Sequence, residues 1–133
     1  GGGAGGAPVI FGAGVDITDV RRFKKWEERP ELIDRFFNPL EKSSGKSISA
    51  QCQHYAARFA AKEAFSKALG TGIRDFELKD VYIQNDESGK PELCVCASAR
   101  KVLMEKCGEC TVHISLSHEK EYAVAFVIIE RER

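Results

Sequence analysis

The segment from Ser47 to Leu69 constrains this chain most. It holds neither glycine nor proline and is rich in alanine, so it favours one long helix, ended by Gly70-Thr71-Gly72. At helical spacing Ala57, Ala60, Ala61, Ala64, Phe65 and Ala68 share one broad face. Side chains this small admit another element closely, so the helix is expected to lie tight against a neighbour. Arg58, Lys62 and Ser66 form an i, i+4, i+8 row on another side, and Glu63 and Lys67 form an adjacent pair. Both polar rows are expected to remain available.

What surrounds the helix reads mainly as strands. Val9 to Ile17 alternates, with Val9, Phe11, Ala13, Val15 and Ile17 on one face and Ile10, Gly12, Gly14 and Asp16 on the other. Two glycines leading to a carboxylate suit close approach by a ligand or another backbone. Gly12-Ala-Gly14 lacks the third glycine of a dinucleotide fingerprint, because Ile17 stands there. Thr18 or Asp19 caps a helix running to about Glu28, and Pro30 opens a short one reaching Phe36 or Phe37. Strands are expected over Phe76 to Gln84 and Glu92 to Ala97, and a short helix over Ser98 to Cys107. Val112 to Ser117 reads as a half-buried strand, and Tyr122 to Glu130 as a central one. The fold class is therefore α+β: a compact single domain with an antiparallel sheet packed against one long helix. Residues 1–8, almost all Gly and Ala, read as a disordered leader or cloning scar, leaving 9–133 as the domain.

Lys plus Arg and Asp plus Glu both total 20 of the 133 residues, so there is no basic surplus for general nucleic-acid binding. No apolar run approaches the length of a membrane helix. Five cysteines and no visible secretory signal favour a reducing compartment, hence a cytoplasmic location. Cys107-Gly-Glu-Cys110 has the spacing of half a zinc site, but no matching second pair stands nearby; it reads as thiols flanking a turn.

Two carboxylates from different elements, Asp16 and Glu63, suit a hard divalent cation such as Mg²⁺, which takes oxygen ligands and commonly shares them with substrate phosphates. Arg58, Lys62 and Lys67 offer positive charge for those phosphates. Arg21, Arg22, Lys24 and Lys25 form a basic cluster able to dock an acidic partner. A solvated charged face accounts for each of these features equally well at this level.

Four segments together resemble the holo-acyl-carrier-protein synthase family, the short single-domain 4'-phosphopantetheinyl transferases. They are Gly12-Ala-Gly-Val-Asp-Ile-Thr-Asp-Val-Arg-Arg-Phe23, Arg58-Phe-Ala-Ala-Lys-Glu-Ala-Phe-Ser-Lys-Ala-Leu-Gly-Thr-Gly-Ile73, Gly89-Lys-Pro91, and His113-Ile-Ser-Leu-Ser-His118 followed by Tyr122-Ala-Val-Ala125. The resemblance implies the 4'-phosphopantetheinyl transferase fold, Mg²⁺ on Asp16 and Glu63, and Lys67 beside the reacting groups. It also implies coenzyme A against Arg58, Ser66, Lys67, Gly89, Lys90, Pro91, Ser117 and His118, and an acidic carrier helix on Arg21 and Arg22. The implied reaction transfers phosphopantetheine from coenzyme A to a serine of an apo acyl carrier protein, releases adenosine 3',5'-bisphosphate, and supports fatty acid biosynthesis. The implied assembly is a homotrimer with active sites between subunits. Glu63 one turn from Lys67 favours charge stabilisation over proton abstraction for that lysine. The proton acceptor stays open between a water on the cation and another carboxylate. A non-catalytic carrier-binding subunit and a zinc or thiol protein are the competing classes.

Overall fold

The structure, a computed structural model, describes residues 7–132; most of the expected leader, residues 1–6, lies outside them. Strand β1 spans Val9–Asp19, β4 spans Cys110–His118 and β5 spans Tyr122–Arg131; they form an antiparallel sheet in the order β1-β5-β4, with β5 central as its continuous apolar run suggests. A separate hairpin joins β2 (Val81–Asn85) to β3 (Pro91–Val95). Helix α1 covers Pro30–Phe36, α2 covers Ile48–Leu69 and α3 covers Ala97–Lys106. Short 3-10 segments fill Val20–Glu28, Pro39–Glu41 and Leu78–Asp80. The segment from Phe76 to Asp80, read above as strand, is instead loop and 3-10 turn.

The ends of these elements follow local chemistry. The Asp19 side chain accepts from the Arg21 amide and caps the first 3-10 segment, and Ser47 caps α2 by accepting from the Ala50 amide. Helix α2 stops at Gly70, whose φ of 82° is left-handed.

Glycine decides how α2 meets the sheet. A Cβ on Gly14 would lie 2.1 Å from the Ala64 carbonyl oxygen, and one on Gly12 would lie 1.9 Å from that of Ala68. The glycine face of β1 is thus the buried one, and what approaches it is the backbone of α2. A register shift between Ile10 and Gly12 turns the rest of the strand, so Ala13, Val15 and Ile17 face outward; Ile17 is 64% exposed. Tyr122 and Phe126 of β5 are also exposed, which gives the outer sheet surface an apolar character.

Helix α2 is enclosed on most sides rather than amphipathic, and its polar row is not available as expected. Lys62 is fully buried, and its ammonium donates to Glu41 Oε1 at 2.7 Å, to the Leu78 carbonyl at 3.0 Å and to the Val81 carbonyl. Glu41, 1% exposed, also accepts from the amides of Asn38 and Ile83. With every donor of the lysine engaged and both carboxylate oxygens bonded, the pair meets the condition under which charges can be buried. It ties α2 to the 3-10 turn at Pro39–Glu41 and to the start of β2.

Candidate functional site

Asp16 lies on the inner face of β1, paired in register with Ala125 of β5. Its side chain is only 14% exposed. Lys67, from the last turn of α2, donates to Asp16 Oδ1 at 3.1 Å and to the Val15 carbonyl at 3.0 Å. The Thr18 hydroxyl donates to Asp16 Oδ2 at 3.0 Å. Glu63, one helical turn before Lys67, is half-buried. Burial pushes the Glu63 carboxyl above the usual carboxylate range, the Asp16 charge pushes it further, and Lys67 and Arg22 pull it back.

A half-buried carboxylate whose proton affinity is raised by burial and by a second carboxylate is the charge arrangement that a hard divalent cation relieves, and both groups supply oxygen. Asp16 and Glu63 therefore fit Mg²⁺. No set of three His, Cys, Asp or Glu side chains is arranged for a metal among the described residues. Two carboxylates would thus leave the remaining positions of an octahedral ion to water and substrate oxygens. The same observation leaves Cys107 and Cys110 without a third ligand; all five cysteines are free, and burial, with Cys107 beside it, pushes the Cys110 thiol up to about 11.

Arg22 turns its guanidinium over the rings of Phe59 and Phe23, at 5.5 and 5.9 Å, and its charge reaches Glu63. Arg21 is exposed but clamped to Asp19 at 2.9 Å, with Glu121 at 3.6 Å. Beside them Phe23, Trp26, Ile33, Ile48 and Tyr55 line an apolar groove of about 210 Å³.

A second site lies at the other end of α2. A groove of about 410 Å³ is lined by Lys46, Gln53, His54, Arg58, Asn85 and His118, together with the serines of the first helical turn. Arg58 donates to the His54 carbonyl at 3.4 Å, while its Nε is buried without a partner. His118 Nδ1 lies 2.9 Å from Gln53 Oε1. Burial lowers the His54 pKa to about 4, which keeps that ring neutral. Lys46 beside the first turn of α2 and Arg58 further along the helix bring two positive charges to this groove, which suits it to phosphate.

Gly89, Lys90 and Pro91 close the β2–β3 hairpin. The Asp86 carboxylate accepts from the Ser88 amide, the Ser88 hydroxyl and the Lys90 amide, and Gly89 adopts a φ of 90°. Lys90 and Pro91 line a groove of about 340 Å³ with His113 of β4, while Asn85 of the same hairpin lines the Arg58 groove. Two of the expected ligand contacts lie apart from these grooves. Ser66 is 2% exposed and its hydroxyl donates to the Lys62 carbonyl. Ser117, next to His118 in β4, is paired in register with Val124 and alternates onto the outer sheet face. Thr18, Lys46, Gln53 and Asn85 escaped sequence reasoning; only Thr18, two residues from Asp16 on the same strand face, left a legible trace.

Comparison with known proteins adds an independent line. A family model described as the 4'-phosphopantetheinyl transferase superfamily matches residues 12–127. A holo-[acyl-carrier-protein] synthase of Treponema denticola is 46% identical over 128 residues, covering 92% of this chain and 99% of the relative. The crystal structure of a holo-(acyl-carrier-protein) synthase from Bacillus anthracis in complex with CoA (3',5'-ADP) superposes with a TM-score of 0.76 at 37% identity, covering 92% of this chain and 97% of that one. The holo-ACP-synthase of Plasmodium yoelii gives a TM-score of 0.83 at 29% identity, covering 96% of this chain and all of that one.

Proposed function

Because the chain belongs to the 4'-phosphopantetheinyl transferase superfamily and is a transferase of the holo-acyl-carrier-protein synthase type, we propose that it moves 4'-phosphopantetheine from coenzyme A to a serine hydroxyl of an apo acyl carrier protein. The hydroxyl gives up its proton to a base, its oxygen bonds to the β-phosphorus of the coenzyme A pyrophosphate, the bond from that phosphorus to the bridging oxygen breaks, and adenosine 3',5'-bisphosphate leaves with the electron pair of that bond. The observation that carries this reading is the Lys67 ammonium on Asp16 at 3.1 Å, with Glu63 one helical turn before that lysine and feeling the Asp16 charge. Asp16 and Glu63 would hold Mg²⁺, which when bound neutralises charge on the pyrophosphate and on the leaving group. Lys67 adds a fixed positive charge at the same spot, and its bond to the Val15 carbonyl limits its travel. Phosphoryl-type transfer depends on positioning and charge stabilisation, which these groups supply.

Arg58 and His118, in the second groove, would anchor coenzyme A phosphate; the partnerless Arg58 Nε supports this role. Lys90 and Pro91 would line another part of the coenzyme A path. The basic 3-10 segment with Arg21 and Arg22, beside the apolar groove at Trp26, suits an acidic amphipathic carrier helix. The exposed Val15, Ile17 and Phe126 on the outer sheet face favour self-association, and we assign that surface to a homotrimer. Five free cysteines suit a reducing compartment such as the cytoplasm, and the role assigned to the protein there is carrier activation for fatty acid biosynthesis.

The test is intact-mass spectrometry of an apo acyl carrier protein incubated with this protein, coenzyme A and Mg²⁺. One added phosphopantetheine unit is expected, lost on chelation and with Asp16→Ala or Glu63→Ala. An unmodified carrier, or modification that persists in both variants, overturns the reading.

A further inference from the structure

We propose that Thr18 is a positioning residue for the cation site: its hydroxyl, bonded to Oδ2, sets the orientation of the Asp16 carboxylate. The inference rests on the metal role proposed for Asp16.

Thr18 is 2% exposed on the buried face of β1, opposite Ala123 of β5. A residue needed there only to fill space would be valine, which has the same shape without a polar atom. A buried hydroxyl is unfavourable unless it is bonded. The bond it makes, among the described residues, is to Asp16 Oδ2 at 3.0 Å. Threonine is β-branched and stiff at χ1, and the strand backbone beneath it is fixed by pairing with β5. The donor is therefore rigid, unlike Lys67, which is 54% exposed and holds the other oxygen from the end of a four-carbon chain. Together the two donors fix the plane of the carboxylate.

Loss of the Thr18 donor leaves Lys67 as the one remaining side-chain donor to Asp16 among the described residues. The carboxylate then turns toward the ammonium, which competes directly with a divalent cation for the same oxygens. Partners behind a metal ligand typically contribute 10- to 100-fold to metal affinity. The effect should therefore appear as weaker metal binding and not as unfolding.

The experiment compares Thr18→Val, Thr18→Ser, Asp16→Ala and the parent protein. Mn²⁺ is titrated into each in the presence of coenzyme A, with free aquo-ion followed by electron paramagnetic resonance and melting temperature measured separately. Thr18→Val should bind Mn²⁺ about tenfold more weakly at an unchanged or higher melting temperature. Thr18→Ser should recover most of that loss, and Asp16→Ala should bind no Mn²⁺. Parental Mn²⁺ affinity in Thr18→Val, with binding abolished in Asp16→Ala, overturns the role of Thr18 alone. So does a loss of affinity that Thr18→Ser does not recover. Equal binding by Asp16→Ala and the parent overturns the metal site itself and this inference with it.

Discussion

Substituting Gly14 by alanine tests whether contact between backbones assembles the site. The added Cβ would sit 2.1 Å from the Ala64 carbonyl oxygen and 2.8 Å from the Ala68 amide nitrogen. A carbon and a carbonyl oxygen approach no nearer than about 3.3 Å, so α2 and β1 must part by roughly 1.2 Å. Both obstacles are backbone, so no rotamer change relieves them. Overpacking of this kind destabilises by about 1–3 kcal/mol, and at about 4 °C per kcal/mol the melting temperature falls by roughly 4–12 °C. Glu63 immediately precedes Ala64, so the same displacement carries it away from Asp16. A misplacement of about 1 Å near reacting groups lowers turnover roughly 100-fold. Thermal melting and carrier modification followed by mass spectrometry read the two effects. Gly72→Ala is the control, because a Cβ there meets nothing nearer than 4.0 Å. Parental stability and turnover in Gly14→Ala would refute the reasoning.

Lys62→Met strands the Glu41 carboxylate in the core and should cost about 3–5 kcal/mol in urea denaturation, with the double variant carrying Glu41→Gln as well recovering part of the loss. His54 is held neutral, with its folded pKa near 4 against an ordinary 6.5. Its contribution is full above the ordinary value and is lost as pH falls toward 4; wild type should lose up to about 2 kcal/mol between pH 7 and pH 5, and His54→Gln should flatten that slope in urea melts. Arg22→Glu should raise the carrier KM and weaken its salt dependence while leaving the coenzyme A KM unchanged, measured by steady-state kinetics over a range of ionic strength.

Much of the architecture could be read from local pattern. The alanines and the lack of Gly and Pro located α2, Pro30 located α1, and alternation in Val112–Ser117 located β4. The glycine pair of β1 pointed to a close approach without saying by what; the backbone of α2 takes that place, and Val15 and Ile17 face outward. The burial of Lys62 was illegible for a related reason: its partner Glu41 lies 21 positions away and its other acceptors are carbonyls, which leave no mark in a sequence. Asp16 and Glu63 stood out as acidic residues in glycine- and alanine-rich surroundings. The influence of one charge on the other depends on the crossing of β1 under α2, which no spacing encodes.

The most direct measurement is a crystal structure of the protein with coenzyme A and Mn²⁺, with anomalous differences used to locate the ion. One peak bonded to carboxylate oxygens of both Asp16 and Glu63, and shared with pyrophosphate oxygen, is the result anticipated. An ion held by neither side chain, or by other residues entirely, would contradict the account.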